Sequence, residues 1–531
     1  MRSDLPVLLL VVVGLATAWP SREVSGQGQA LPTDEPKVIY ESTDDALDDA
    51  RTAPRGGTQL VDGVLAQLES AVTKHPDSAL LQTAMGRALI IRDCAMMGNN
   101  CSVRAKGHLT KAIGLDPKLI RAHVLLAHDA MNSGCLQCAL PHIRAAQPLE
   151  PNNPYLLEVL GRYSQLFGNE VDAEKRYLKA IEEFPTPKKR WQTYTWLAEI
   201  YKERSDYARA EDVLVKARDA APEGAWPNGN LGTFYIFTAG DYDKAIPALR
   251  KTLSIMSYGY ARQGLALSLY ERWANAYLKK SRPSTLKIYW EEAQEESPDA
   301  QTMFFVSAMY HGTGRAARAL LDTKRVPRSV LDQPWDQGRT VLQMAAQNDN
   351  TDLCVYLIER GANPDAHDRY GIYVAHSAGA WGNTKVLEAL ARKNANLKVA
   401  TREARETVLM LVAKAGELRP GNTKAAALLI GKGVPVNAKS AQGWTALGYA
   451  IGARDIEMVR YLLARKAKVN DEFADGITPA SYAILMGNIE ILQALMSKNL
   501  DLNAKVSGMS LAEFAEKNGK PEMAEMLRSH R

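Results

Sequence analysis

The sequence predicts an all-α chain made of two helical-repeat solenoids in tandem, and three observations carry that expectation. Pro117, Pro151 and Pro185 stand 34 residues apart and Pro222 follows 37 further on; a fixed period of that length marks stacked helical pairs. Beyond Pro334 the period shortens to 33, with Gly338, Gly371, Gly443, Gly476 and Gly508 opening successive units. With 531 residues and 46% apolar content, the chain is long enough for two or three sizeable cores.

Residues 1–18 hold one basic residue, an apolar run from Leu5 to Val13, and the small residues Ala16, Thr17 and Ala18. This is the pattern of a secretory signal peptide, cleaved ahead of Trp19. The run is too short to span a bilayer comfortably; a buried N-terminal helix or an uncleaved anchor is the competing reading. No cysteine follows the run, so a lipid anchor is not indicated. An exported protein, periplasmic or secreted, is therefore expected.

Residues 19–58 shift to Ser, Gly, Gln, Pro and acid. Asp34, Glu35, Glu41, Asp44, Asp45, Asp48 and Asp49 face Lys37 alone between Pro32 and Ala50, a stretch that buries too little to order itself. A disordered acidic linker is expected, the alternative being an acidic arm that covers a basic groove elsewhere. The formal charge is +5 overall and this stretch contributes 1 minus 7, so the remainder carries about +11. Those bases interleave with acids in every repeat instead of clustering on one face, which does not point to a nucleic-acid partner.

The 34-residue units occupy 59–325. In the block ending at Pro185, Leu160, Gly161, Gly168, Ala173, Tyr177 and Ala180 precede the proline at offsets of 25, 24, 17, 12, 8 and 5. The same residue types lead to Pro151 (Ala127, Gly134, Ala139, Ile143, Ala146) and to Pro222 (Ala198, Tyr201, Ala210, Leu214, Ala217). A degenerate copy with about seven extra residues leads to Pro117, and another, around Gly232 and Gly240, lacks a closing proline. This pattern resembles the tetratricopeptide repeat. The resemblance implies small residues where two helices cross closely, a mid-repeat glycine that turns the chain, and a proline that stops the second helix. Residues 257–298 keep helical spacing but lose the frame, and read as helices joining two arrays. A further helical pair is expected over 303–321, turning at Gly312 to Gly314, and Val326 to Pro334 is the candidate boundary.

From 333 to 531, six units open with Gly338-Arg-Thr-Val-Leu, Gly371-Ile-Tyr-Val-Ala, Glu406-Thr-Val-Leu, Gly443-Trp-Thr-Ala-Leu, Gly476-Ile-Thr-Pro-Ala and Gly508-Met-Ser-Leu-Ala. They resemble the ankyrin repeat. The turn closing each unit requires a left-handed backbone, which suits Gly361, Asn394, Gly433 and Asn499 but not Lys466. The family's opening histidine survives only at His376; Gln343, Met410, Gly448 and Ser481 replace it, and the third unit carries about five extra residues around Gly416 to Asn422. The polar last unit suits a cap. Taken together with the leader, the two repeat types read as an exported, bacterial type of protein.

Both families are interaction scaffolds. No nucleophile turn, metal helix, phosphate loop or calcium loop interrupts them, so neither catalysis nor a cofactor is expected. One cluster stands out: Cys94, Cys101, Cys135 and Cys138 lie within 45 residues, with His108, His123, His128 and His142 among them. The repeat frame puts all four sulfurs at inter-helix turns on one edge. Two local disulfides fit an exported chain and a four-thiolate zinc site fits a cytoplasmic one; a Cys-x-x-Cys redox motif is the weaker reading, since no thioredoxin-like sheet is expected, and Ala139 after Cys138 excludes haem attachment. Cys354 reads as a buried free thiol.

The tetratricopeptide resemblance also implies a concave groove lined by first helices. Transferring its frame places Tyr155, Arg162 and Gln165 there from one unit, Gln192, Glu199 and Lys202 from the next, and Trp226 and Phe237 from the one after. The two aromatics would otherwise pack against the irregular helices after Ser257. Thr83, Arg87, Leu125, Tyr155 and Val159 stand where a chaperone-peptide clamp needs lysine, asparagine and arginine, and only Arg87 suits that role. The expected function is an exported protein- or peptide-binding scaffold, with a secreted effector or an organiser of an envelope complex as alternatives.

Overall fold

The computed structural model describes residues 35–52, 56–97, 103–256, 259–310, 314–473, 476–506 and 508–530. The expected signal peptide and Cys101 lie outside these residues, as does the side chain of Cys94. The chain is all-α, with two-residue strands at Lys505–Val506 and Met509–Ser510. It divides into two compact units, Gly56–Pro151 with the segment up to Arg51, and Asn152–Arg531.

In the first unit, the acidic stretch expected to be a disordered linker forms the helix Pro36–Thr52. The correction has a simple cause: Ile39, Thr43 and Leu47 recur every four residues, so one face is buried among Val61, Leu65, Leu68, Leu81, Met85 and Leu89 while carboxylates occupy the others. Asp44 reaches Arg87, whose Nη1 also donates to the Asp44 carbonyl at 2.9 Å. Arg87 is only 3% exposed, so the one residue that suited a peptide clamp is engaged within the chain. The helices Ala79–Met97 and Val103–Leu115, then Ile120–Asn132 and Leu136–Ala146, form the following pairs.

The second unit continues with Pro154–Leu166 and Glu170–Glu183, Trp191–Glu203 and Tyr207–Ala220, then Ala225–Phe234 and Tyr242–Ile255. Glycine marks the crossings for a steric reason. A Cβ on Gly161 would lie 2.5 Å from the buried Tyr177 ring, and one on Gly232 would lie 2.8 Å from Leu249. The inter-helix turn is left-handed at Gly134, Gly168 and Gly240, and Ser205 takes that conformation in the copy lacking glycine. Each second helix starts one residue later on a capping side chain, Cys135, Asn169, Asp206 or Asp241.

Residues 257–298, expected as joining helices, supply a further pair, Gly259–Leu278 and Pro283–Glu296. Trp273 packs on Trp290 at 4.9 Å, and Tyr270 Oη donates to the Ser297 carbonyl at 2.7 Å. The pair Ala300–Ala308 and Arg315–Asp322 follows. The boundary expected at Val326 to Pro334 is no break in packing: Phe305 stacks on Trp335 at 4.5 Å, Tyr356 Oη donates to Asp322 Oδ1 at 2.7 Å, and one apolar core runs from Ala173 to Leu527.

Six pairs complete the chain, beginning at Val341, Val374, Val408, Ala446, Pro479 and Leu511. Gly361, Asn394, Gly433, Lys466 and Asn499 all have positive φ, Lys466 at 65°. The retained His376 and three of its four substitutes cap alike. Gln343 Oε1, His376 Nδ1, Met410 Sδ and Ser481 Oγ each accept from the backbone N–H three residues earlier, whereas Gly448 makes room for Trp444 and Phe473. A ladder of acceptors ties neighbouring units: Asp332, Asp365, Asn437 and Asn470 accept from the backbone of Asn363, Asn396, Lys468 and Asp501 at 2.8 to 2.9 Å.

Candidate functional site

In the second unit, the successive first helices Trp191–Glu203, Ala225–Phe234 and Gly259–Leu278 border a cavity of about 290 Å³. Lys202, Trp226 and Phe237, three of the eight residues expected in the groove, line it together with Asn230, Thr233, Met256 and Tyr260. Trp226 is 43% exposed. Phe237 leans on Tyr310 at 4.7 Å and Tyr260 at 6.5 Å, so it meets the irregular helices and still borders the cavity. Small residues open the space: Gly229 carries no side chain where a Cβ would make only ordinary 3.6 Å contact with Thr252. Such a volume sits at the low end for ligand pockets and suits an anchoring side chain of a chain-like ligand.

The lining is mixed, with Lys202, Asn230, Thr233, Thr238 and Thr252 among its apolar residues; Glu199 and Glu203 lie outside it. Lys202 Nζ pairs with Glu199 at 2.7 Å one turn earlier. Glu203 is pushed above the usual carboxylate range by burial, then by the neighbouring Glu170 and Glu199. The remaining expected residues do not line the cavity. Arg162 Nη1 donates to Gln165 Oε1 at 3.2 Å, and Tyr177 Oη donates to the same oxygen at 3.1 Å, so this pair braces the crossing at Gly161. Tyr155 sits edge-on to Phe184 at 5.1 Å. Gln192 is half-buried on the helix before Lys202. The frame could not have found Tyr260, which enters from the segment whose repeat pattern is lost; Met256 directly follows the helix Tyr242–Ile255, and Asn230 and Thr233 follow Trp226 by four and seven residues and were legible by helical period.

The structure joins Cys135 to Cys138, while Cys354 is buried and unbonded. Among the described residues no three His, Cys, Asp or Glu side chains gather as a metal site. His123 and His142 face each other with Nδ1 atoms 3.3 Å apart, and burial, then His123, pulls His142 below its ordinary value. Between Gly259–Leu278 and the later pairs, the fully buried Glu271 receives Ser307 Oγ and the amides of Gly314 and Ala316 on Oε1. Its Oε2 has no partner among the described residues, and burial raises its pKa. None of these groups borders the cavity.

No helix of the described residues is long and apolar enough to cross a membrane. Among curated protein sequences none matches this chain. The crystal structure of the human ASB11 ankyrin repeat domain is similar at 17% identity, covering 43% of this chain and 97% of that one, with a TM-score of 0.36. Residues 303–402 and 375–472 match the family model for ankyrin repeats (3 copies). The match begins 30 residues ahead of the start expected at 333, taking in the pair Ala300–Ala308 and Arg315–Asp322, in keeping with the unbroken core there. Residues 303–472 therefore carry ankyrin repeats, a fold that generally serves protein–protein interaction.

Proposed function

We propose that this chain is an exported, non-catalytic adaptor whose tetratricopeptide-type segment, 59–302, ahead of the ankyrin match, grips an extended peptide or protein segment, while its ankyrin repeats offer a second protein-binding face. The single observation that carries the reading is the cavity of about 290 Å³ at which Lys202, Trp226 and Phe237 converge from consecutive units. An apolar or aromatic side chain of the partner seats against Trp226 and Phe237, with its flanking polar groups toward Lys202 and Asn230. Burying one large side chain there is worth about 1.5 to 3 kcal/mol, enough to make this an anchor, with affinity completed along the groove.

Selection of a displayed random-peptide library tests it. The intact protein should enrich sequences sharing an aromatic or large aliphatic anchor, and Trp226→Ala should lose that enrichment while keeping its far-ultraviolet helix signal. Enrichment that survives the substitution places recognition elsewhere. The export proposal rests on the leader-like 1–18; in a bacterial cell, fractionation should recover the protein from periplasm or medium.

A further inference from the structure

We propose that Cys135 and Cys138 form a thiol–disulfide exchange site that reacts with external thiols, a role separate from groove binding. Cys135 stands at the cap position that Asn169, Asp206 and Asp241 fill in the other units, so sulfur replaces oxygen as acceptor at the start of the helix Leu136–Ala146. The Cys138 amide donates to Cys135 Sγ at 3.3 Å. An N–H held at a helix start stabilises a thiolate more than a thiol. Cys138 is exposed and Cys135 half-buried.

The chemistry follows from that placement. An external thiolate attacks the accessible Cys138 Sγ, the Sγ–Sγ bond breaks, and Cys135 leaves as a thiolate held by the Cys138 amide. A second external thiolate attacks the sulfur of the first, now bonded to Cys138, and releases Cys138 as a thiolate. Two external thiols become one external disulfide, the pair gains two electrons, and the protons of those thiols pass to solvent or to the new protein thiols. The reverse sequence oxidises a dithiol. The local fold does not hang on the bond: Ala139, Ile143 and Ala146 hold the helix by burial, and a link across three residues constrains the unfolded chain least.

The test uses the full chain. The protein is treated with dithiothreitol in native buffer, quenched by alkylation and digested, and the peptide carrying Cys135 and Cys138 is weighed over time. Reduction within roughly tenfold of the rate in urea is expected, with the helix signal retained and the bond restored by oxidised glutathione. Cys135→Ser should accumulate a glutathione adduct on Cys138 that the wild type resolves. Reduction slowed about a thousandfold or more by folding would overturn the proposal and make the bond a closed staple. Two free thiols in oxidised glutathione would overturn it differently, by removing the bond itself, and an unresolved adduct in the wild type would contradict the attack by Cys135.

Discussion

Replacing Gly86 by alanine tests the crossing geometry on which the repeat frame depends. Gly86 lies in Ala79–Met97 and faces Val103–Leu115. A Cβ there would come within 2.6 Å of Leu109 Cγ, 2.8 Å of its Cδ2 and 3.2 Å of the Ala105 carbonyl. Leu109 is 1% exposed, so it cannot swing into solvent. Gly107, on the facing helix, is exposed and a Cβ there meets nothing within 4 Å. Alanine gains about 1 kcal/mol over glycine at both sites through helix propensity and the unfolded chain, so that term cancels between them. What remains is overpacking at Gly86, about 1 to 3 kcal/mol. Gly107→Ala should therefore stabilise by about 0.5 to 1 kcal/mol and Gly86→Ala destabilise by about 1, a gap near 2. Urea unfolding, with hydrogen exchange read on amides 79–115, measures both. A Gly86→Ala protein as stable as Gly107→Ala would refute the close crossing.

Three other outcomes are expected. Lys466 holds φ 65°, a conformation that costs a β-carbon about 1 kcal/mol, partly offset by glycine's freedom when unfolded, so Lys466→Gly should raise stability by roughly 0.5 kcal/mol; a lower urea midpoint would contradict it. Glu271 has its folded-state pKa raised by burial, so its favourable share of stability is complete below the unfolded-state pKa and is lost as pH rises through the folded one. Glu271→Gln should accordingly gain on the wild type as pH rises above about 4; a stability difference that stays flat with pH would mean that Glu271 titrates alike folded and unfolded, and would contradict the raised pKa. If residues 1–18 are a cleaved leader, N-terminal sequencing of material from the native cell should begin at Trp19, and a chain retaining Arg2 and Leu5 would rule that out.

The repeat frame was legible because its signals are steric. Gly161 and Gly232 sit where no Cβ fits, and Gly361, Asn394 and Lys466 stand where the backbone is left-handed. The helix Pro36–Thr52 was hidden because only three small or apolar side chains, Ile39, Thr43 and Leu47, define its buried face, in a stretch that also carries five carboxylates. Gly259–Leu278 escaped the frame for the opposite reason. It is buried nearly all round, including Leu265, Leu267, Tyr270 and Trp273, so no apolar stripe stands out against a polar face. Of the groove, the frame found Lys202, Trp226 and Phe237, but the side of the cavity closed by Tyr260 depends on how that illegible helix packs. The Asp and Asn ladder from Asp332 to Asn470 recurs at 33 residues in part and was readable, yet its role needs the neighbouring backbone to be seen.

The most direct measurement of the peptide-binding account is the hydrogen-exchange footprint of the intact protein with a library-selected peptide, taken alongside its affinity for wild type, Trp226→Ala and Arg162→Ala. Protection should concentrate on amides 225–238 and 259–262. Trp226→Ala should weaken binding by on the order of tenfold or more, the loss of one aromatic anchor, while Arg162→Ala, whose side chain braces Gln165 away from the cavity, should cost less. Protection confined to residues 303–472 with affinity unchanged in Trp226→Ala would contradict the account and assign recognition to the ankyrin repeats.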